Sequence, residues 1–171
     1  HALVRRQRQM CIRDSARSIE STVDKLYTSY LLNKNKINCP ETYIFRGQKA
    51  ASGFISNYNF KSKLIYKPLF GSQGDNIRLI ERPSDLEKLQ NQTNIYYFQE
   101  YLDNSPNYDY RVLVVNNNDN IKYFYMTRYG ETFINNFSKG AKCIKEKLNE
   151  DVIELAIKSS RLLNIDFCGV D

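Results

Sequence analysis

The 171-residue chain has no tryptophan, only four prolines, and a single histidine, which is its first residue, His1. One terminal imidazole excludes histidine-based acid–base or nucleophilic chemistry as the basis of function. The four cysteines, Cys11, Cys39, Cys143 and Cys168, are widely separated and lack metal-ligand spacing. They read as reduced, partly buried thiols, which suits a cytoplasmic location. No apolar run approaches a membrane span, and there is no signal-peptide core. Neither G-x-x-x-x-G-K-[ST] nor G-x-G-x-x-G occurs, so the P-loop and the dinucleotide fingerprint are both excluded.

What is present fits a globular domain with a real core, or two small lobes: 42% hydrophobic and 26% charged residues. The net charge of +6 suggests nucleic acid until its distribution is considered. Residues 1–17 carry five arginines against one acid, Asp14, which leaves 20 basic and 18 acidic side chains in the rest. The first 17 residues also lack lysine and asparagine, in which the remainder is rich. The stretch VRRQRQMCIRDS resembles translated adapter read-through more than a protein segment, with a genuine basic arm that binds nucleic acid or an acidic surface as the alternative. The expected organisation is therefore a non-native or disordered segment over 1–17 and a folded unit over 18–171.

Apolar positions Ile19, Val23, Leu26, Tyr30 and Leu31 predict one helix from Ser18 to about Asn33. A short strand is expected over Thr42–Phe45. Strands at Lys63–Lys67 and Ile77–Glu81 flank Gly71-Ser72-Gln73-Gly74 and read as a hairpin. Pro83 and Ser84 open a short helix, followed by a strand at Tyr96–Gln99. Strands at Tyr110–Val115 and Ile121–Met126 are joined by an asparagine-rich turn. A polar loop spans Tyr129–Ala141, Asn149 caps a helix, and Ile165–Val170 is the last strand. The class is α+β with mostly antiparallel strands.

The hairpin carries the clearest chemical signal. Lys67 ends its first strand and would point beneath the loop, where Gly71 and Gly74 let backbone N–H groups approach phosphate oxygens. Lysine supplies the point charge. Taken alone, the loop reads more readily as an ordinary hairpin turn. Its successors change the balance. Gln99-Glu100-Tyr101 ends a strand. Asp109 and Arg111 share one strand face. Arg128 precedes Asn136 and Gly140-Ala141, and Gly169-Val170-Asp171 closes a strand with a carboxylate.

In this order the motifs resemble the ATP-grasp ligases, in particular the RimK-type α-L-glutamate ligase branch. The matching pattern there is K-x-x-x-G-[ST]-x-G, Q-E-Y, D-x-R-x-x-V-V, R…N…G-G/A and G-V-D. Asp24-Lys25 and Pro40-Glu41-Thr42 resemble the family's opening segment, so the likeness covers about residues 20–171. It implies an ATP-grasp fold in two lobes, truncated at both ends, and an ATP-dependent carboxylate–amine ligase that adds glutamate or a similar amino acid through an acylphosphate. It assigns ATP binding to Lys25, Lys67, Gly71, Ser72, Gln73, Gly74, Gln99, Glu100, Tyr101 and Asp109. It assigns the reacting groups to Arg111, Arg128 and Asn136, and a metal ligand to Asp171, with Mg²⁺ or Mn²⁺ as the ion. Such chemistry needs positioning and charge neutralisation rather than a protein nucleophile.

Two departures qualify the likeness. Asn76 replaces the loop's third glycine, and asparagine tolerates the left-handed conformation. Ile134 stands where ribosomal-protein ligases carry an arginine, which leaves donor and acceptor open. The family's E-x-N metal ligands would fall after Asp171, so the chain is expected to be a fragment inactive alone. Membrane and nucleic-acid partners are not expected; a homo-oligomer is left open. The competing reading is a nucleotide- or RNA-binding module without ligase activity, using the 13 tyrosines as stacking surfaces.

Overall fold

Asp24 divides the first helical region, where the periodicity predicts one continuous helix. The computed structural model, which describes residues 14–71, 74–89, 91, 93–117 and 120–171, shows helix α1 over Ala16–Val23 and helix α2 over Lys25–Lys34. The Asp24 backbone is extended, and its carboxylate accepts from the N–H groups of Leu26 and Tyr27, capping α2. A short acidic side chain gains more as a cap than inside a helix. Ser15 caps α1 by accepting from the Ser18 N–H at 3.0 Å. The Asp14 carboxylate accepts from the backbone N–H groups of Asp166 and Phe167. The expected boundary after residue 17 thus falls inside α1, and residues 1–13 lie outside the described residues.

Strand β1 (Thr42–Arg46) is followed by helix α3 (Gln48–Asn57), which the sequence reading did not assign. Its signal was there: Ala51, Phe54, Ile55 and Tyr58 stand at i, i+3, i+4 and i+7. Strands β2 (Leu64–Lys67) and β3 (Arg78–Ile80) form the expected hairpin, with Leu64 opposite Ile80. Pro83–Lys88 is a 3₁₀ turn, and strand β4 (Ile95–Glu100) follows. Strands β5 (Tyr108–Asn117) and β6 (Asn120–Tyr129) are longer than expected because they pair along their whole length. The expected polar loop holds a 3₁₀ turn at Phe137–Lys139. Just beyond it an unanticipated edge strand, β7 (Lys142–Ile144), pairs with β6. Helix α4 (Glu150–Leu162) starts at its Asn149 cap, and β8 (Phe167–Val170) pairs with β5.

The strands make two four-stranded sheets, ordered β1-β4-β2-β3 and β7-β6-β5-β8, and every pairing is antiparallel. The α+β class and mostly antiparallel strands are as expected. In the first sheet, period-2 alternation sends Leu64, Tyr66, Tyr96 and Phe98 into an aromatic core against α3. In the second, Val112 and Val114 pack with Leu148 and Ala156 under α4. Burying such side chains stabilises by roughly 1.5–3 kcal/mol each. The opposite face of the first sheet carries Lys67 and Gln99, and that of the second carries Asp109, Arg111 and Arg128. No described helix is long and apolar enough to cross a membrane.

Candidate functional site

Because Leu64 and Tyr66 point to the core, Lys67 must project from the other face of β2. Its Nζ donates to Gln99 Oε1 at 2.6 Å. The Gln99 amide nitrogen donates to the Thr42 and Tyr97 hydroxyls, each at 3.2 Å, and the Tyr97 and Ser29 hydroxyls are 2.7 Å apart. This polar chain runs from the hairpin to α2. Lys25, at the first position of α2, donates to the Leu69 and Gly71 carbonyl oxygens at 3.2 and 3.0 Å. Burial pushes the Lys67 pKa down, the nearby Lys25 charge pushes it further, and Asp171 opposes both. Burial also lowers Lys25, against the pull of Asp24. Two lysines are therefore held partly desolvated, bonded to neutral oxygens rather than to a carboxylate. Desolvated cations of this kind are costly unless an anion joins them.

The second sheet contributes a different charge pattern. Asp109 and Arg111 lie on one face of β5, and Arg128 is directly opposite Asp109 on β6. The Arg128 fork holds both Asp109 oxygens at 2.6 Å and reaches Asp171 at 3.2 Å. Arg111 grips both Asp171 oxygens at 2.5 and 2.6 Å. Arg128 is 2% exposed. Burial opposes its charge, but Asp109 and Asp171 outweigh that and raise its pKa. Burial pushes the Asp109 carboxyl up, and the Arg128 fork on both its oxygens works against that rise.

The two halves meet at the loops. Gly74 has φ +77, and a Cβ there would lie 2.9 Å from Ile134 Cγ2 and 3.6 Å from the Asn136 amide nitrogen. Lys139 pairs with Asp75 at 2.8 Å across the same junction. A Cβ at Gly130 would collide with the Ile134 carbonyl oxygen at 2.8 Å, so glycine lets the 130–136 loop turn tightly. Asn76 adopts φ 56, the left-handed conformation anticipated for it.

Of the predicted site residues, Lys25, Lys67, Gly71 and Gln99 cluster on one side. Asp109, Arg111, Arg128 and Asp171 cluster on the other, with Gly74 and Asn136 at the junction. Ser72 and Gln73 lie outside the described residues. Alternation places Glu100 on the face of β4 opposite Gln99, away from the lysines. Its N–H donates to the Glu41 carbonyl, and the Tyr101 N–H to that of Lys63. The sequence reading missed Ser29, Tyr97, Asp75 and Lys139. Only Tyr97 carried a signal, two residues before Gln99 on the same strand face.

A model of the RimK-like ATP-grasp domain family matches residues 22–171. The chain belongs to that family. The RimK-like domain is 28% identical to a tetrahydromethanopterin:α-L-glutamate ligase from Methanosarcina acetivorans, over 94% of this chain and 52% of that protein. It is 26% identical to the α-aminoadipate–LysW ligase LysX of Saccharolobus solfataricus, over 86% of this chain and 55% of the relative. The chain thus spans about half the length of the curated relatives it matches. Among solved structures, the D-alanine–D-alanine ligase of Coxiella burnetii superposes with a TM-score of 0.69 at 10% identity, covering 92% of this chain and 45% of that one. The ATP-grasp ligase PsnB, solved with minimal precursor, Mg and ADP, superposes with a TM-score of 0.61 at 19% identity, covering 91% and 46%. These likenesses give the RimK-like domain the ATP-grasp fold.

The residues present fit a nucleotide's phosphates better than they fit a bare metal ion. Lys67 and Lys25 supply partly desolvated positive charge, and Asp171, which Arg111 and Arg128 hold, is close enough to act on Lys67. Among the described residues no group of three His, Cys, Asp or Glu side chains could hold a metal. Asp171 offers one carboxylate, already shared by two arginines. One carboxylate fits Mg²⁺ only when phosphate oxygens complete the coordination.

Proposed function

We propose that this domain is the ATP-binding part of an ATP-dependent carboxylate–amine ligase that joins glutamate or a similar amino acid to an acceptor. The observation that carries the reading is a pair of half-buried lysines, Lys67 on β2 and Lys25 on α2, hydrogen-bonded to neutral oxygens and not to carboxylates, beside the Asp171 that Arg111 and Arg128 hold. Lys67 and Lys25 bind the ATP phosphates. The loop bearing Gly71, Ser72, Gln73 and Gly74 covers them. Gln99 holds Lys67 in position, and backbone groups at Glu100 and Tyr101 border the adenine and ribose. Asp109 holds the Arg128 fork.

A substrate carboxylate takes the γ-phosphoryl group, and an amine then displaces phosphate from the acylphosphate to form the amide. Arg111 and Arg128 stabilise charge on the transferring group, and Asn136 orients the substrate side of the junction. Mg²⁺, with Mn²⁺ as a substitute, is held by Asp171 and phosphate oxygens and supplies further charge neutralisation. The protein acts in the cytoplasm. Arg111 and Arg128 are committed to Asp109 and Asp171 rather than free to meet a polyanion, which favours a ligase over an RNA-binding module.

The test uses the full-length protein. Lys67→Ala is expected to weaken ATP binding at least tenfold by calorimetry, about 1.4 kcal/mol, and ADP release should depend on an added amino acid. Unchanged ATP affinity would refute the phosphate assignment. Tight ATP binding with no turnover across an amino-acid panel would leave the nucleotide-binding module as the better reading.

A further inference from the structure

Strand β6 pairs with β5 along its whole length, but with β7 only at Thr127, Arg128 and Tyr129. Because β7 stops at Ile144, the far edge of β6 from Asn120 to Met126 has no ladder partner among the described residues. A groove of about 420 Å³ opens there, lined by Tyr123, Phe124, Tyr125 and Met126 and by residues 143–145. Phe124 is 62% exposed, and Tyr123 and Ile144 are each 44% exposed. An exposed apolar strand edge is a template for pairing, which proteins normally blunt with charge or cover.

The charge beside this edge has one sign. Lys122, Lys142 and Lys145 are exposed and have no carboxylate partner among the described residues. The nearest acid, Glu146, turns back to accept from the Tyr129 hydroxyl at 2.9 and 3.1 Å. Alternation puts Lys122, Phe124 and Met126 on the sheet face that carries Arg111 and Arg128. In register, Met126 is opposite Arg111 and Phe124 is opposite Leu113. The row that β7 vacates is therefore apolar along its length and basic at its rims, and it borders the arginine cluster.

We infer that the free edge of β6 is a docking site for an extended acidic peptide segment, which adds as a further strand in line with β7. Main-chain hydrogen bonds supply affinity, and alternate side chains supply choice. Apolar residues of the segment lie against Phe124 and Met126. Its carboxylates face Lys122 and Lys145, which steers association and sets register. A second copy of this chain is disfavoured as the occupant, because it would bring lysine rim against lysine rim. Docking requires neither ATP nor turnover, so it can fail while the ligase reading stands, and the reverse.

The test is fluorescence anisotropy on the full-length protein with a labelled peptide of about ten residues alternating valine and glutamate. A matching peptide with lysine for glutamate serves as control. The acidic peptide is expected to bind at least about tenfold more tightly than the basic one, and more weakly as salt rises. The exposed double substitution Lys122→Glu/Lys145→Glu is expected to reverse that preference with an unchanged melting temperature. Phe124→Asp should weaken the acidic peptide. Equal binding of the two peptides, or a preference indifferent to the charge reversal, overturns the inference. So does a concentration-dependent dimer in sedimentation that Phe124→Asp abolishes, which would assign the edge to a second copy.

Discussion

The two sheets carry charge toward each other in opposite ways. On the first, Lys67 and its neighbour Lys25 on α2 are hydrogen-bonded only to neutral oxygens, and burial lowers both pKa values against the pull of Asp171 and Asp24. On the second, Arg111 and Arg128 are saturated by Asp109 and Asp171. Their cores differ in kind as well. The first is aromatic, around Tyr66, Tyr96 and Phe98, and the second is aliphatic, around Val112 and Val114. The lesson is that a binding face and a positioning face need different electrostatics. The lysines lose solvation without a hydrogen-bonded counter-ion, so an anion beside them relieves them. The arginines are already relieved, which fixes their geometry before any ligand arrives.

The largest effects should come from the cores. Phe98→Ala removes the fully buried ring at the centre of the first sheet and is expected to cost roughly 3–5 kcal/mol in thermal or denaturant unfolding. Val114→Ala removes fewer atoms beneath the second sheet and should cost less. Equal losses would show that the aromatic core is not the tighter of the two.

Matched substitutions in the two polar faces should move stability in opposite directions. Arg128→Met strands Asp109 and is expected to destabilise by about 2–3 kcal/mol, below the figure for a fully buried pair because both acids remain partly exposed. Lys67→Met removes a desolvated charge and should leave the unliganded melting temperature unchanged or higher while ATP affinity drops. A destabilised Lys67→Met would mean that its bond to Gln99 outweighs the cost of burial.

The lysines also predict a pH signature. With the folded-state Lys67 pKa below 10.5, the unfolded chain holds more protons between that lowered value and 10.5. Unliganded stability should therefore rise with pH through that window, whereas ATP affinity should fall as the charge is lost. Calorimetry in buffers of different ionisation enthalpy should record proton uptake on ATP binding there, and Lys67→Met should reduce it.

Smaller effects test the edges of the comparison. The expected non-native segment over residues 1–17 is tested by removing residues 1–13, which should leave the melting temperature unchanged. Asp14→Ala forfeits two backbone partners at the start of β8 and should cost about 1 kcal/mol. Asp75→Ala or Lys139→Ala breaks an exposed ion pair between the loops and should change stability by less than about 1 kcal/mol.

Much of the fold was legible in the local chemistry. The Asn149 cap, the hairpin over 63–81 and the shared face of Asp109 and Arg111 on β5 follow from side-chain period and turn residues, which act within a few positions. The site was legible only as an ordered set of motifs, each weak by itself. Helix α3 escaped because Ser52, Gly53 and Ser56 inside it weaken its local propensity, and its stability comes from packing Ala51 and Ile55 on the first sheet. Strand β7 escaped because three exposed residues carry no periodicity, and only the edge of β6 makes them a strand.

By itself, then, the sequence determined the residue types available: no catalytic histidine, a lysine ending a strand before a glycine loop, and acids and arginines spaced by two along strands. Tertiary structure alone decided their pairing. It set Lys67 against Gln99, 32 positions away, and Arg111 against Asp171, 60 positions away. It also left the edge of β6 open. Charge compensation depends on which groups share a low-dielectric space, and chain folding, not sequence distance, determines that.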